Sequence, residues 1–307
     1  MTDHHQPTRG EPRVALVTCA ELPDLDPDDR LLLEPLARRG VTVEVLDWAD
    51  PSADWPAYDL AVLRSPWDYV LRRDEFLAWA SRVPALANPA DVVRWNTDKR
   101  YLAELSAAGV RTVPTSWVAP GEGWRPPAAR GEYVVKPAVG LGSRDTGRYD
   151  LADPQHRELA VAHVRRLSDA GRLAMVQPYL DAVDTAGETA LLFLAGPGGP
   201  AFSHAVRKGP MLTGPDLGVD GLYRPEEITV STATPEQLAV ADRALAAVPG
   251  GPGRLLYARV DLIPGPDDAP VLVELELTEP SLFLGHADGA ADRLADAILT
   301  LLGRAAG

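Results

Sequence analysis

The sequence predicts an α/β and α+β chain: an N-terminal parallel α/β domain, a small lid domain, and a C-terminal domain built on a mixed sheet. Three observations carry that expectation. Over residues 13–95 short apolar runs alternate with helical patterns, the order of a parallel sheet. After a Pro/Gly-rich stretch, 119–132, a strand, a helix and a strand make a small middle unit. Beyond it, two pairs of strand-like runs are joined by GPGG and by PGPDDAP, with no helix inside either pair, which reads as antiparallel hairpins.

The elements follow in order. RVALVTC, Arg13–Cys19, is a continuous apolar run and reads as a buried strand. Asp28–Arg39 has helical spacing and stops at Gly40, a C-terminal cap. Val41–Leu46 and Leu60–Arg64 are two further strands, and Asp74–Val83 the next helix. Residues 87–96 read as a joint containing Pro and Asn, and Thr97 as the cap of a helix through Ala108 that ends at Gly109. The strand Tyr133–Pro137, a helix over 154–170 and the strand Leu173–Pro178 form the middle unit. Thr189–Ala195 and Ala201–Val206 form a hairpin, and Thr234 opens a helix over Pro235–Val248. Strands Leu255–Ile263 and Val271–Leu277 and a helix over Ala290–Leu302 complete the chain.

Composition excludes several classes of function. With 307 residues, 46% of them hydrophobic, the chain can bury a sizeable core in about two domains. Its 30 Lys plus Arg against 44 Asp plus Glu give a net charge of −14, which argues against nucleic acid or an anionic membrane as partner. Cys19 is the one cysteine, so no intrachain disulfide exists, as expected of a reducing cytoplasm. The polar N-terminus lacks the apolar core of a signal peptide, and no apolar run approaches a membrane span of about 20 residues. Only three of the basic residues are Lys: Lys99, Lys136 and Lys208. In a chain that otherwise uses Arg, a lysine points to a site needing a compact charge, although a GC-rich genome also lowers the lysine count.

Two strands carry the strongest chemical signal. In LYARVDLI, Leu256, Ala258, Val260 and Leu262 face one way, and Tyr257, Arg259 and Asp261 the other. In VLVELELTEPSLF, Val271, Val273, Leu275 and Leu277 face opposite to Glu274 and Glu276, and Glu279 follows. Paired antiparallel, the strands would gather Asp261, Glu274 and Glu276 on one face. Three such carboxylates repel unless one is protonated or a cation sits among them, and Mg²⁺ with phosphate oxygens meets that need. Arg259, on the same face, would bind a phosphate or form a structural ion pair. YVVKPAVGLGSRDTG, Tyr133–Gly147, ends a strand in a lysine and a glycine-bearing loop; it reads equally as a phosphate loop or a plain hairpin. It fits neither GxxxxGK[ST] nor GxGxxG. In isolation NTDKRYL is a helix start with a surface lysine, and MVQPYL an edge strand ending at a proline. The six histidines lack zinc spacing, no GxSxG is present, and Cys19 reads as core.

Taken together, the order of these segments resembles the ATP-grasp superfamily of carboxylate–amine ligases, and most closely its cycloserine-forming branch, which has counterparts of RSPWDY, NTDKRYL and ELELTEPSLF. The resemblance covers about residues 97–288, with 13–95 similar to the family's first domain, and it implies domains over 1–96, 110–184 (the lid), and 97–109 joined with 185–307. It implies that Lys99 and Lys136 bind ATP phosphates under a mobile loop, Gly140–Thr146, that includes Gly142 and Ser143. It implies Gln177, Tyr179 and Leu180 beside the adenine, Asp184 on the ribose, and Asp261, Glu274 and Glu276 on magnesium. Arg259, Lys208 and Glu188 would act on the reacting groups; Arg64, Ser65, Trp67, Asp68, His204 and Ser281 would meet the substrate. Glu276 stands where the family's strand usually carries Asn, which leaves the number of metal ions open.

The function expected is an ATP- and Mg²⁺-dependent ligase that phosphorylates a small-molecule carboxylate and lets an amine displace phosphate, forming an amide or a ring. Its partners would be small-molecule carboxylates and amines, with the oligomeric state left open. One rival is a kinase of the same fold, which would leave a stable phosphorylated product. Another is a binding module without turnover, which would lack a lysine or a metal ligand, and none is missing. A dinucleotide-dependent reductase finds no glycine triad after Arg13–Cys19.

Overall fold

The computed structural model describes residues 11–128, 131–216 and 227–305; most of the polar N-terminus lies outside the described residues. Three sheets organise the chain. The first is parallel throughout, in the order β2-β1-β3-β4, from β1 (Arg13–Thr18), β2 (Thr42–Asp47), β3 (Leu60–Ser65) and the short β4 (Leu86–Ala87). Val14, Leu16 and Val62 face one apolar core and Ala15, Val17 and Leu63 another, so β1 and β3 are covered on both sides. That is why RVALVT reads as an unbroken apolar run. Helices α1 (Leu33–Arg38) and α2 (Arg73–Ala80) connect these strands, and Gly40 takes the left-handed conformation, φ 71°, just past α1.

The joint expected over 87–96 is largely helical: α3 spans Ala90–Asn96 and α4 spans Tyr101–Ala107. Thr97 does not cap α4. It follows the last residue of α3, where its hydroxyl accepts from Arg73 Nε at 2.9 Å, and α4 starts after Arg100 without a side-chain cap.

The second sheet, β5-β8-β6-β7, is antiparallel and forms the small unit. It comprises β5 (Ser116–Val118), β6 (Glu132–Pro137), β7 (Gly147–Asp150) and β8 (Ala174–Pro178), packed on α5 (Pro154–Asp169). The flanking strands β5 and β7 are too short to announce themselves in the sequence. Asp153 caps α5 by accepting from Gln155 N at 2.7 Å, with Pro154 at the first helical position.

After the single turn α6 (Val183–Ala186), the third sheet runs β11-β10-β9-β12-β13: β9 (Glu188–Gly196), β10 (Gly199–Lys208), β11 (Ile228–Ser231), β12 (Tyr257–Pro264) and β13 (Pro270–Glu276). Its strands pair antiparallel; the parallel contact is an isolated bridge between Thr112 and Leu272. One face packs on α7 (Pro235–Ala246) and α4, the other on α8 (Ala290–Ala305) and the N-terminal sheet. Thr234 and Gln237 close a reciprocal capping box at α7, at 2.9 and 3.2 Å. One expectation for β13 is corrected. The register slips between Asp261 and Leu262, so Leu272 pairs with Leu262 and Val273 is the extra residue. Val273 consequently leaves the apolar face, where Leu272 and Leu275 are buried, and lines the cavity beside Glu274. Among the described residues, no helix is long and apolar enough to cross a membrane.

Candidate active site

The three sheets enclose one cavity of about 440 Å³. Strands of the third sheet supply its charged floor. β12 and β13 pair Asp261 with Glu274 and Arg259 with Glu276 directly across the ladder, and β10 brings Lys208 to the same wall. The small unit supplies Lys136 at the end of β6, the loop through Gly140, Gly142 and Ser143, and Gln177, Tyr179 and Leu180 at the end of β8. Trp67 and Tyr69 come from the N-terminal unit. All three lysines of the chain therefore line one cavity.

The charges are ordered in pairs. Lys136 Nζ donates to Glu274 Oε1 at 2.7 Å, and Lys99 Nζ lies 3.6 Å from Glu274 Oε2 and 2.5 Å from the Gly140 carbonyl oxygen. Burial pushes the Glu274 carboxyl up, but Lys136 and Lys99 outweigh it and hold the group down at about 2. Asp261 is fully buried and accepts from Arg259 Nε at 3.0 Å and Lys208 Nζ at 2.9 Å. Against burial, these two cations hold it far below the usual carboxylate range. Glu188 also pairs with Lys208. Burial, reinforced by the Asp261 charge, pushes Glu188 up to about 8, so of two acids sharing one lysine Asp261 keeps the charge. Glu276 pairs with Arg259, yet burial and the neighbouring Asp261 and Glu274 raise it to about 7. Glu279, half-buried beside Glu276 and hydrogen-bonded to Tyr69, is raised to about 8 by desolvation and the Glu276 charge.

Among the described residues, no three acidic, His or Cys side chains are grouped closely enough to hold a metal ion. Asp261, Glu274 and Glu276 share one face, as their alternation predicts, but each turns toward a cation. The donor set nonetheless suits a hard divalent cation: all are oxygens, all line the cavity, and the lysines now neutralising Glu274 are those that incoming phosphates would attract.

The loop after β6 has a strained, cradle-like backbone. Gly142, Ser143 and Asp145 have φ of 60°, 57° and 51°, and a Cβ on Gly140 would meet Pro137 Cγ at 3.0 Å. Arg172 holds the loop from outside, with Nη1 on Asp145 Oδ2 at 2.5 Å and Nη2 on the Val139 carbonyl oxygen at 3.2 Å. Gln177 Nε2 donates to Thr115 Oγ1 at 2.9 Å. Ser281 lines the cavity, and its carbonyl oxygen accepts from Arg259 Nη1 at 3.1 Å.

Five residues read as contacts stand behind the wall. Arg64 is fully buried, bound to Asp29 at 2.8 Å and donating to the Pro280 carbonyl oxygen at 2.8 Å. Ser65 donates to the same Asp29 at 2.7 Å. Asp68 accepts from Trp48 Nε1 at 2.7 Å and Arg72 Nη2 at 2.6 Å. His204 Nε2 pairs with the Leu282 carbonyl oxygen at 2.9 Å. Asp184 is held by Arg148 at 2.9 Å and by the Tyr179 hydroxyl at 2.5 Å, so it orients the Tyr179 ring, over which the Arg148 guanidinium stacks at 3.7 Å. Conversely, Tyr69, Glu279 and Phe283 line the cavity without having been assigned. For Glu279 the signal was present: a third acid three residues past Glu276.

Comparison with known proteins agrees with this architecture. Residues 14–90 match the family model described as D-cycloserine synthetase DcsG, N-terminal domain. The chain is 41% identical over 303 residues to the cycloserine biosynthesis protein DcsG of Streptomyces lavendulae, covering 93% of this chain and 97% of the relative. The crystal structure of D-cycloserine synthetase DcsG superposes with a TM-score of 0.80 at 39% identity, over 94% of this chain and 99% of the other. D-alanine–D-alanine ligase from Bacillus anthracis, complexed with ATP, shares the fold at a TM-score of 0.60 and 15% identity, over 95% and 97% of the two chains. The chain belongs to the D-cycloserine synthetase DcsG family and has the fold of the ATP-grasp ligases.

Proposed function

We propose that the cavity binds ATP with magnesium, activates a substrate carboxylate as an acyl phosphate, and closes a ring by attack of a nitrogen of the same molecule. D-cycloserine, the product named for the relatives, is a cyclic hydroxamate whose ring contains a nitrogen–carbonyl bond; an open-chain amino acid bearing an oxygen-linked nitrogen is the matching precursor. The observation that carries this reading is Lys99 and Lys136 converging on Glu274 in the cavity that also holds Asp261, Arg259 and Glu276.

A carboxylate attacking the γ-phosphate brings two anions together, so positioning and charge neutralisation supply most of the catalysis. Lys99 and Lys136 turn from Glu274 to the nucleotide phosphates, which frees Glu274 as an oxygen ligand. Asp261, Glu274 and Glu276 would hold magnesium, which would supply positive charge to neutralise the phosphates. Arg259, fixed by Asp261 and by the Ser281 carbonyl, stabilises charge on the transferring phosphoryl group. A carboxylate oxygen forms the new bond to phosphorus as the bond to ADP breaks. The Gly140–Thr146 loop keeps water from the acyl phosphate, and the substrate nitrogen then forms the carbon–nitrogen bond as phosphate leaves with that carboxylate oxygen. Gln177, Tyr179 and Leu180 border the base, and Trp67, Tyr69 and Ser281 the substrate.

An ADP-release screen over amino acids and their ureido or hydroxylamine derivatives, with mass spectrometry of the products, tests the reading. One ADP and one phosphate per cyclised product are expected. A stable phosphorylated product would make the protein a kinase, and ATP binding with no ADP release across the set would leave a binding module.

A further inference from the structure

β13 carries Glu274 and Glu276 and is the last strand of its sheet, so among the described residues its outer edge presents backbone groups with no strand to pair them. At one end, Leu272 N–H donates to the Arg111 carbonyl oxygen at 2.8 Å. Further along, side chains take the place of backbone. Leu275 N–H donates to the Tyr101 hydroxyl at 3.0 Å, and the Leu275 carbonyl oxygen accepts from Asn96 Nδ2 at 2.7 Å. The same Asn96 amide accepts from Leu277 N–H at 2.7 Å through Oδ1, and Asn88 Nδ2 donates to the Leu277 carbonyl oxygen at 2.7 Å. Asn88, Asn96 and Tyr101 are all buried. An amide offering donor and acceptor to alternate residues reproduces what a neighbouring strand would offer.

Four residues join Asn96 to Tyr101, and they include Lys99. Its backbone N–H donates to the Ala138 carbonyl oxygen at 2.8 Å, and its Nζ reaches Gly140 and Glu274. The segment thus grips the acidic strand on one side and the exit of the lysine strand β6 on the other. Leu275 and Leu277 alternate with Glu274 and Glu276, so whatever fixes the rotation of β13 about its axis also fixes where both carboxylates point.

We propose that Asn96 and Tyr101 are positioning residues: by standing in for a sixth strand, they set the placement of Glu274 relative to Lys99, and so of metal ligand relative to phosphate cation. This rests on the nucleotide and magnesium reading above. Tyr101→Phe is the test variant, because it keeps the ring and removes only the acceptor for Leu275 N–H, whereas changes at Asn96 remove several bonds and endanger folding. The assays are thermal unfolding and calorimetric binding of ADP, once with Mg²⁺ and once with EDTA. The expected result is Mg²⁺–ADP binding weakened about tenfold and binding of ADP in EDTA within about twofold of the parent. Leu294→Ala, in the core under α8, lowers stability without touching the site and leaves both affinities unchanged. Equal weakening of both ADP forms in Tyr101→Phe, or of neither, overturns the proposal. Glu274→Gln separates the two readings. If it weakens Mg²⁺–ADP and Tyr101→Phe does not, only the positioning role falls; if it leaves Mg²⁺–ADP unchanged, the metal assignment fails first.

Discussion

Arg64→Met distinguishes a substrate-binding arginine from a structural one. In the sequence this arginine closes an apolar strand and opens RSPWDY, which invites a role in holding a substrate acid group. In the structure it is fully buried, and Asp29, 2.8 Å away, is 3% exposed at the side chain. Its guanidinium also donates to the Leu63 and Pro280 carbonyl oxygens and lies over the Tyr257 ring at 5.1 Å. Removing one partner of a buried ion pair strands the other charge, which costs about 3–5 kcal/mol. A chain of 307 residues unfolding as one unit does so with an entropy of about 0.6 kcal/mol per kelvin, so a loss of about 4 kcal/mol lowers Tm by about 6 °C. Removing both charges, as Arg64→Met with Asp29→Leu, recovers most of that loss, because an apolar pair replaces a buried ionic one at little cost. The assay is thermal unfolding of the parent, the single variant and the double variant, with KM for the carboxylate substrate measured below the transition. A single variant that melts within about 1 °C of the parent while its KM rises tenfold or more would refute the structural assignment.

Three further outcomes follow from the same geometry. Glu279 is raised to about 8 by burial and the nearby Glu276, so between its unfolded value near 4.5 and about 8 the folded protein holds a proton that the unfolded chain has released. Stability of the ligand-free protein therefore falls as pH rises through that window, and Glu279→Gln flattens the fall by about 2 kcal/mol in denaturant titrations at pH 5 and 8; an unchanged slope contradicts the assignment. Arg172→Ala removes the ties that hold the 140–146 loop through Asp145 and Val139, which speeds proteolysis at 140–146 and raises ADP release relative to ligated product; tight coupling in the variant would show that the latch is idle. Thr234→Ala opens the capping box of α7 and costs about 1 kcal/mol, read as a drop of about 1–2 °C in Tm with kcat unchanged.

The site was legible where its residue types break a local rule. A lysine ending the apolar run of β6, and acids at two alternate positions of β13, Glu274 and Glu276, are unusual in a core strand, and they line the cavity. The strand pairs were legible because their turns are dense in Gly and Pro. What stayed hidden depends on partners distant in sequence. Arg64 and Asp29 are 35 residues apart, and no local pattern tells an ion pair from a binding arginine. The register slip that moves Val273 to the cavity is set by how β12 meets β13, not by the alternation of either strand. Thr97 carries a capping residue type, but the chain turns through Asp98–Arg100 before α4 begins, and its hydroxyl is engaged by Arg73. The asparagines of the 87–96 segment looked like joint residues; their amides pair with strand edges that sequence alone does not bring near.

The most direct measurement follows oxygen. A carboxylate that supports ADP release in the screen is labelled with ¹⁸O and turned over with unlabelled ATP, and the released phosphate is weighed by mass spectrometry. Transfer through an acyl phosphate places one ¹⁸O in each phosphate formed. Phosphate free of label, released in step with product, would mean that ATP is cleaved without activating the carboxyl group, and the catalytic reading of the cavity would be wrong.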